Sequence, residues 1–275
     1  MGVERRLGYR RNMTVPAHHD LAPAARAIPY DTDLARPAAM IADPTRAAML
    51  RALLAGRPLA AGELARLTGV SAATASFHLA KLREGNMIEV ARQGRHRYYR
   101  LAGHEVAAAL EALGLISPAL PVRTLRQSRE AAALAEARTC YDHLAGRAGV
   151  ELLEALVRNG LLVSEKPRSF SRTGRGDTAT ATRFEVTGAG AKTLASFGIH
   201  VTEIRRSRRT FAGECIDWTQ RRGHLNGALA AAITARLFEL GWIERGLKGP
   251  HRRSVRVTAA GVEGLGATFG FDVTC

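Results

Sequence analysis

The chain has 275 residues, with 40 Lys or Arg against 25 Asp or Glu, a formal charge of +15 at pH 7. That excess points to a polyanionic partner such as nucleic acid, while 46% apolar and 24% charged residues exclude wholesale disorder. There is no apolar run of about 18 residues, so no membrane partner is expected. Arg5, Arg6, Arg10 and Arg11 lead into no apolar segment of the kind a secretory signal needs. Cys140, Cys215 and Cys275 are too few for a disulfide framework and fit a reducing, cytoplasmic compartment.

Residues 1–33 mix Arg, Pro, His and Asp without helical or strand period and read as a flexible basic arm. Asp43-Pro44 then places an N-cap acceptor before a proline at the first helical position, and Leu50, Leu53 and Leu54 recur on one face of the helix that follows. A shorter helix over 61–67 stops at Thr68-Gly69-Val70-Ser71, where Gly69 supplies a positive φ and Ser71 caps the next helix. That helix, 72–84, sets Ala75, Leu79 and Leu82 on one face and leaves Ala73, Ser76, Phe77 and Ala80 on the other. Residues 87–92 and 95–101 read as strands around Gln93-Gly94, with Ile88 and Val90 sharing one face and Tyr99 and Leu101 another. Arg92, Arg95, His96, Arg97 and Arg100 crowd this hairpin with no acid among them. A helix over 104–113 and a linker at 117–121 close the unit, which spans 34–120.

The run Ile41-Ala-Asp-Pro-Thr-Arg46, followed in order by Gly62-Glu-Leu-Ala65, Gly69-Val-Ser71, His78-Leu79, Leu82-Arg83-Glu84 and Arg97-Tyr-Tyr-Arg-Leu101, resembles the ArsR family of winged-helix bacterial transcriptional regulators. The resemblance covers residues 35–115 and implies a symmetric homodimer that binds an inverted-repeat operator in double-stranded DNA, represses it, and lets go when a small-molecule inducer binds. Helix 72–84 would then enter the major groove. The expected DNA contacts are Ser71, Ala73, Thr74, Ser76, Phe77 and Lys81 on the helix-turn-helix, and Arg92, Arg95, His96 and Arg97 on the wing. His78, near the core boundary, is expected to pack rather than read a base. Family sensors of arsenic or cadmium place a Cys-x-Cys pair where this chain has Ala60, Ala61 and Gly62. Zinc or nickel sensors need paired carboxylate and His ligands on the helix after the wing, where only His104, Glu105 and Glu111 stand. Neither familiar metal site is present, and no metal or cofactor is expected.

The second half, 125–275, contains an internal repeat, over 139–200 and 214–272. His143-Leu-Ala-Gly146 runs 17 steps to Gly160-Leu-Leu162, as His224-Leu-Asn-Gly227 runs 17 steps to Gly241-Trp-Ile243. Each copy then reaches a Val-Thr pair, Val186-Thr187 and Val257-Thr258, and each is preceded by a cysteine, Cys140 and Cys215. The expected unit is a helix or two, a short hairpin and a closing helix, so the fold class is mainly α with small β (α+β): a winged helix-turn-helix plus a pseudo-symmetric effector or dimer-stabilising domain. The first copy carries extra residues at 164–181 that read as a mobile loop. Arg205, Arg206, Arg208 and Arg209 read as a solvated stretch between the copies.

Cys140 and His143, three apart, are expected on one helical face beside Asp142. Cys215 has Asp217 near it and His224 further along. These six residues are the candidate ligand or redox site; the alternative is that both cysteines are small buried core residues. No phosphate loop or dinucleotide fingerprint accompanies them, so the chain is read as a regulator and not an enzyme. Two other readings stay open: a small-molecule enzyme fused to a DNA-binding module, and an architectural DNA binder without sequence preference.

Overall fold

The structure is a computed structural model that describes residues 32–94, 96–165, 182–246 and 253–271. The basic arm up to residue 31, Arg95, most of the 164–181 insertion and Cys275 lie outside the described residues.

The first helix, α1 (Ala35–Ala42), has no counterpart in the sequence reading. Asp43 separates it from α2 (Pro44–Leu53), accepting the Arg46 N–H at 2.8 Å as the expected N-cap. After the short β1 (Leu59–Ala60), α3 (Ala61–Thr68) ends at Gly69 with φ 69°, and Ser71 accepts the Thr74 N–H at 3.1 Å to open α4 (Ala72–Glu84). Next come β2 (Ile88–Gln93), β3 (His96–Leu101) and α5 (His104–Ile116), which runs three residues beyond its expected end. β1 adds an unforeseen third strand, giving the order β1-β3-β2. The register sets Ile88 opposite Leu101 and Val90 opposite Tyr99. All four side chains therefore point to the same side of the sheet, not to two faces as expected. They close a core with Leu50, Leu53, Leu64, Leu79 and Leu82.

Helix α6 (Leu125–Glu136) leads into the repeated half. The first copy is β4 (Arg138–Cys140), β5 (His143–Ala145), α7 (Arg147–Arg158), β6 (Leu162–Glu165), β7 (Arg183–Val186) and α8 (Gly188–Ser196). A short α9 (Val201–Ile204) precedes the second: β8 (Gly213–Ile216), β9 (Gly223–Asn226), α10 (Gly227–Glu239), β10 (Ile243–Arg245), β11 (Val255–Val257) and α11 (Ala259–Phe269). Both copies thus run hairpin, helix, hairpin, helix, and a second apolar core formed by Leu153, Leu156, Leu229, Ile233, Leu265 and Phe269 spans them. β6, β7, β8 and β9 form one four-stranded sheet across the two copies.

The leading element of each copy corrects the expected helix. Cys140 pairs directly across a hairpin with His143, and Cys215 pairs in the same way with His224. Tyr141, in the left-handed region at φ 62°, forms with Asp142 the two-residue turn that reverses the first hairpin. A separation of three is thus a cross-strand pair here, not a helical face. Of the four arginines between the copies, Arg206 and Arg208 are exposed as expected, but Arg205 and Arg209 are engaged. Arg209 pairs with Asp142 at 2.5 Å, and Arg205 pairs with Glu185 and stacks over Phe211.

The turn of the first hairpin is docked on the N-terminal core. The Tyr141 N–H donates to Leu54 O at 3.1 Å, and the side chain packs against that core. Gly56, at φ 73°, lies beneath the Tyr141 carbonyl, and a Cβ there would fall 2.0 Å from that oxygen. Gly56→Ala therefore combines left-handed strain with a backbone clash. It is expected to lower stability by about 3 kcal/mol in urea unfolding.

Candidate nucleic-acid interface and the paired Cys–His hairpins

Helix α4 buries Ala75, Leu79 and Leu82 and turns Ser71, Ala73, Thr74, Ser76, Phe77 and Lys81 to solvent. Phe77 is 58% exposed, a large apolar surface with no core to fill. His78 is tucked behind it, with Nδ1 3.5 Å from the Asp43 carboxylate, so it braces α4 against the start of α2. Hydrogen bonding by the Arg46 N–H, against the opposing effect of burial, holds the Asp43 carboxyl below its usual range. Lys81 is paired with Glu84 at 3.0 Å on the exposed surface.

On the wing, Arg92 stands directly opposite Arg97, and Gln93 opposite His96, all four exposed. Like charges face to face across a strand pair are unfavourable in the free protein. Among the described residues neither Arg92 nor Arg97 forms an ion pair. Arg100, one register step along, is different: it faces Glu89 and pairs with it at 2.7 Å, so the absence of acids expected for the hairpin holds only towards its tip. The sequence carried this signal, because Glu89 and Arg100 become neighbours once the turn at 93–94 fixes the register.

The repeated half brings Cys140, His143, Cys215 and His224 together. One ligand-type atom from each lies within 4.8 Å of the other three. The two imidazoles stack at 5.2 Å between centroids with 26° between planes. Cys140 and both histidines are buried, and Cys215 is half-buried. His143 Nδ1 lies 3.3 Å from Asp142 Oδ1, and His224 Nδ1 lies 3.8 Å from Asp217 Oδ2. Among the described residues, Nε2 of each ring is buried without a hydrogen-bond partner, and so is Nδ1 of His224.

The charges follow from these neighbours. The thiol contact with Cys215, with burial second, pushes Cys140 well up, while the same contact lowers Cys215. Burial opposes charge on His143, yet the Cys140 sulfur and Asp142 carry it up to about 9. Burial and the nearby His143 push His224 well down. Burial would raise Asp142, but His143 and Arg209 hold it at about 2.

Asp217, expected as a ligand candidate, is an organiser. One of its oxygens accepts from Thr219 and Gln220 and shapes its own turn; the other accepts the Gly146 N–H at 2.6 Å, tying the two copies together. Its ion pair to Arg138 is 2.9 Å, and Arg138 also faces Glu111 of α5 at 3.6 Å and stacks over Trp218. Burial opposes ionisation of Asp217, but Arg138 and these donors hold its carboxyl far below the usual range. Arg138 and Tyr141 were not singled out from sequence, and Glu111 was weighed only as a metal ligand. Their roles depend on contacts between segments up to 142 residues apart, which no local spacing encodes.

A helix-turn-helix domain family matches residues 41–91. The HTH-type transcriptional regulator YdfF of Bacillus subtilis (strain 168) is 40% identical over 229 residues, 83% of this chain and 93% of its own length. The HTH-type transcriptional regulator Rv0324 of Mycobacterium tuberculosis (strain ATCC 25618 / H37Rv) is 42% identical over 55 residues, 20% of this chain and 24% of its own. A homodimeric winged helix-turn-helix DNA-binding domain from Mycobacterium bovis shares 34% identity at a TM-score of 0.28, covering 30% of this chain and 75% of that one.

Removing Asp217 strands a guanidinium with no exposed surface. Asp217→Ala is expected to cost about 3–5 kcal/mol in urea unfolding, whereas Phe77→Ala should stay within about 0.5 kcal/mol of the parent.

Proposed function

The chain belongs to the HTH-type transcriptional regulators, and we propose that it is one of the ArsR type, a homodimeric, operator-specific repressor released by a ligand of its repeated half. The observation that carries the DNA-facing part of this reading is the Arg92–Arg97 pair beside the exposed face of α4. An arrangement that costs stability in the free protein gains from phosphate or minor-groove contact. In this reading α4 lies in the major groove, where Ala73 and Phe77 offer apolar surface to thymine methyls and Ser71, Thr74 and Ser76 offer hydroxyls to base edges or phosphates. Direct readout is modest with so few polar groups, and the wing supplies much of the affinity. Both strands of the operator are engaged by the two copies of α4 in the dimer.

Helix α5 supports the dimer. Ala108, Ala109, Ala112, Leu113 and Ile116 are all exposed, and Ile116 is 81% exposed. Leu120, Val122 and Leu125, which follow the helix in sequence, are exposed as well. Such a surface on one face is an association site. No helix among the described residues is long and apolar enough to cross a membrane, and the reading involves no catalytic step.

Two measurements test the proposal. Arg92→Ala with Arg97→Ala should weaken binding to DNA from upstream of the protein's own gene and reduce the salt slope by about one unit for each phosphate the wing no longer neutralises; an unchanged slope removes the wing from the interface. Ile116→Glu should turn the dimer into a monomer in light scattering without loss of fold, and footprinting with the parent should protect an inverted repeat. Uniform coating of the DNA would favour the architectural reading instead.

A further inference from the structure

We propose that Cys140, His143, Cys215 and His224 form a mononuclear site for a thiophilic divalent metal of the zinc class, built from one Cys–His pair of each repeat. Each hairpin presents the same two ligand types from directly opposed positions, and the two hairpins face each other. Two sulfurs and two imidazole nitrogens are the donor set of a closed, four-coordinate zinc site. Zinc bonds of about 2.3 Å to sulfur and 2.0–2.1 Å to nitrogen make a tetrahedron with edges of about 3.3–3.8 Å. The four atoms already lie within 4.8 Å of one another, so a small contraction completes it.

The surroundings agree independently. Both Nε2 atoms are buried with no hydrogen-bond partner among the described residues, a costly state that a metal ion would resolve. His143 Nδ1 is within hydrogen-bond reach of Asp142, the outer arrangement that orients a metal-bound imidazole and raises its basicity, and His224 Nδ1 stands 3.8 Å from Asp217, a short approach from the same arrangement. On binding, the two thiols ionise and the His143 imidazolium gives up its ring proton, all of these protons leave to solvent, and the ion's double charge is balanced by two thiolates. The site is distinct from both metal positions that the family resemblance implies.

Its position also gives occupancy a route to the DNA-facing half, an extension that rests on the regulator reading. The turn between Cys140 and His143 carries Tyr141, whose N–H is bonded to the end of α2. Arg138, two residues before Cys140, faces Glu111 of α5. Drawing the two hairpins together shifts both contacts.

The test uses the full chain purified under reducing conditions. Elemental analysis should give about one zinc per chain, and Co2+ added to chelator-treated protein should give the intense ligand-field bands of a tetrahedral site with thiolate charge transfer. Cys215→Ala should abolish both signals, while Asp142→Asn should weaken affinity about 10–100-fold, with circular dichroism confirming that each variant is folded. Folded protein that binds neither ion, or a Cys215→Ala variant that keeps the full cobalt spectrum, overturns the site. Metal-free and zinc-loaded protein should then differ at least about fivefold in affinity for the upstream DNA. Equal affinity overturns the regulatory extension alone. Failure of both forms to bind DNA counts against the proposed function and leaves the metal count untouched.

Discussion

A buried guanidinium organises this molecule. Arg138 has no exposed surface, and burying its charge would cost several kcal/mol without compensation. Compensation comes from three directions: Asp217 from the second copy of the repeat, Glu111 from α5 of the winged helix, and the ring of Trp218. Glu111 is buried too, and it is held in turn by Arg253. Because each charge is tolerable only when the others are in place, the hairpin, α5 and the turn after β8 are obliged to meet at one point. The main-chain bond from Tyr141 to Leu54 fixes the second contact between the halves, and together the two define how the repeat sits on the winged helix.

The repeat explains why the Cys–His pairs match. In both copies the residue three after the histidine is a glycine with positive φ, Gly146 at 75° and Gly227 at 92°. A Cβ on Gly146 would lie 2.9 Å from Ala135 O, and one on Gly227 2.5 Å from Thr210 O. Each glycine therefore lets its hairpin pass directly into α7 or α10 against neighbouring backbone. The copies diverge outside this frame. Thr234, on α10, accepts the Leu144 N–H at 2.9 Å and so satisfies a strand of the other copy.

The winged helix was legible because its signals are local. Asp43-Pro44, Gly69 and Ser71 each act within a few residues of themselves, and the apolar spacing of Ala75, Leu79 and Leu82 gave the phase of α4 that leaves Phe77 outside. Helix α1 gave little signal because it buries no residue, and its first N–H groups are met by Asp33, one residue ahead of the N-cap position. The repeat was equally visible, yet its first element was misread, since Cys140-Tyr-Asp-His143 has the spacing of a helical face as well as that of a two-residue turn between strands. Only Tyr141 at positive φ, a conformation its side chain does not favour, decides between them, and a tertiary contact holds it there. The convergence of the two cysteines with the two histidines lies beyond sequence altogether, because it depends on how two distant hairpins are set against each other.

The opposed arginines of the wing have a consequence for ionic strength. In the unbound protein added salt screens the repulsion between Arg92 and Arg97, while in the wing–DNA complex we propose the same salt would compete with the protein for phosphates. One solution variable thus acts on the wing with opposite sign in its two states. On the proposed reading, the repulsion across the free wing is least screened in dilute buffer, where its attraction to phosphates would also be greatest.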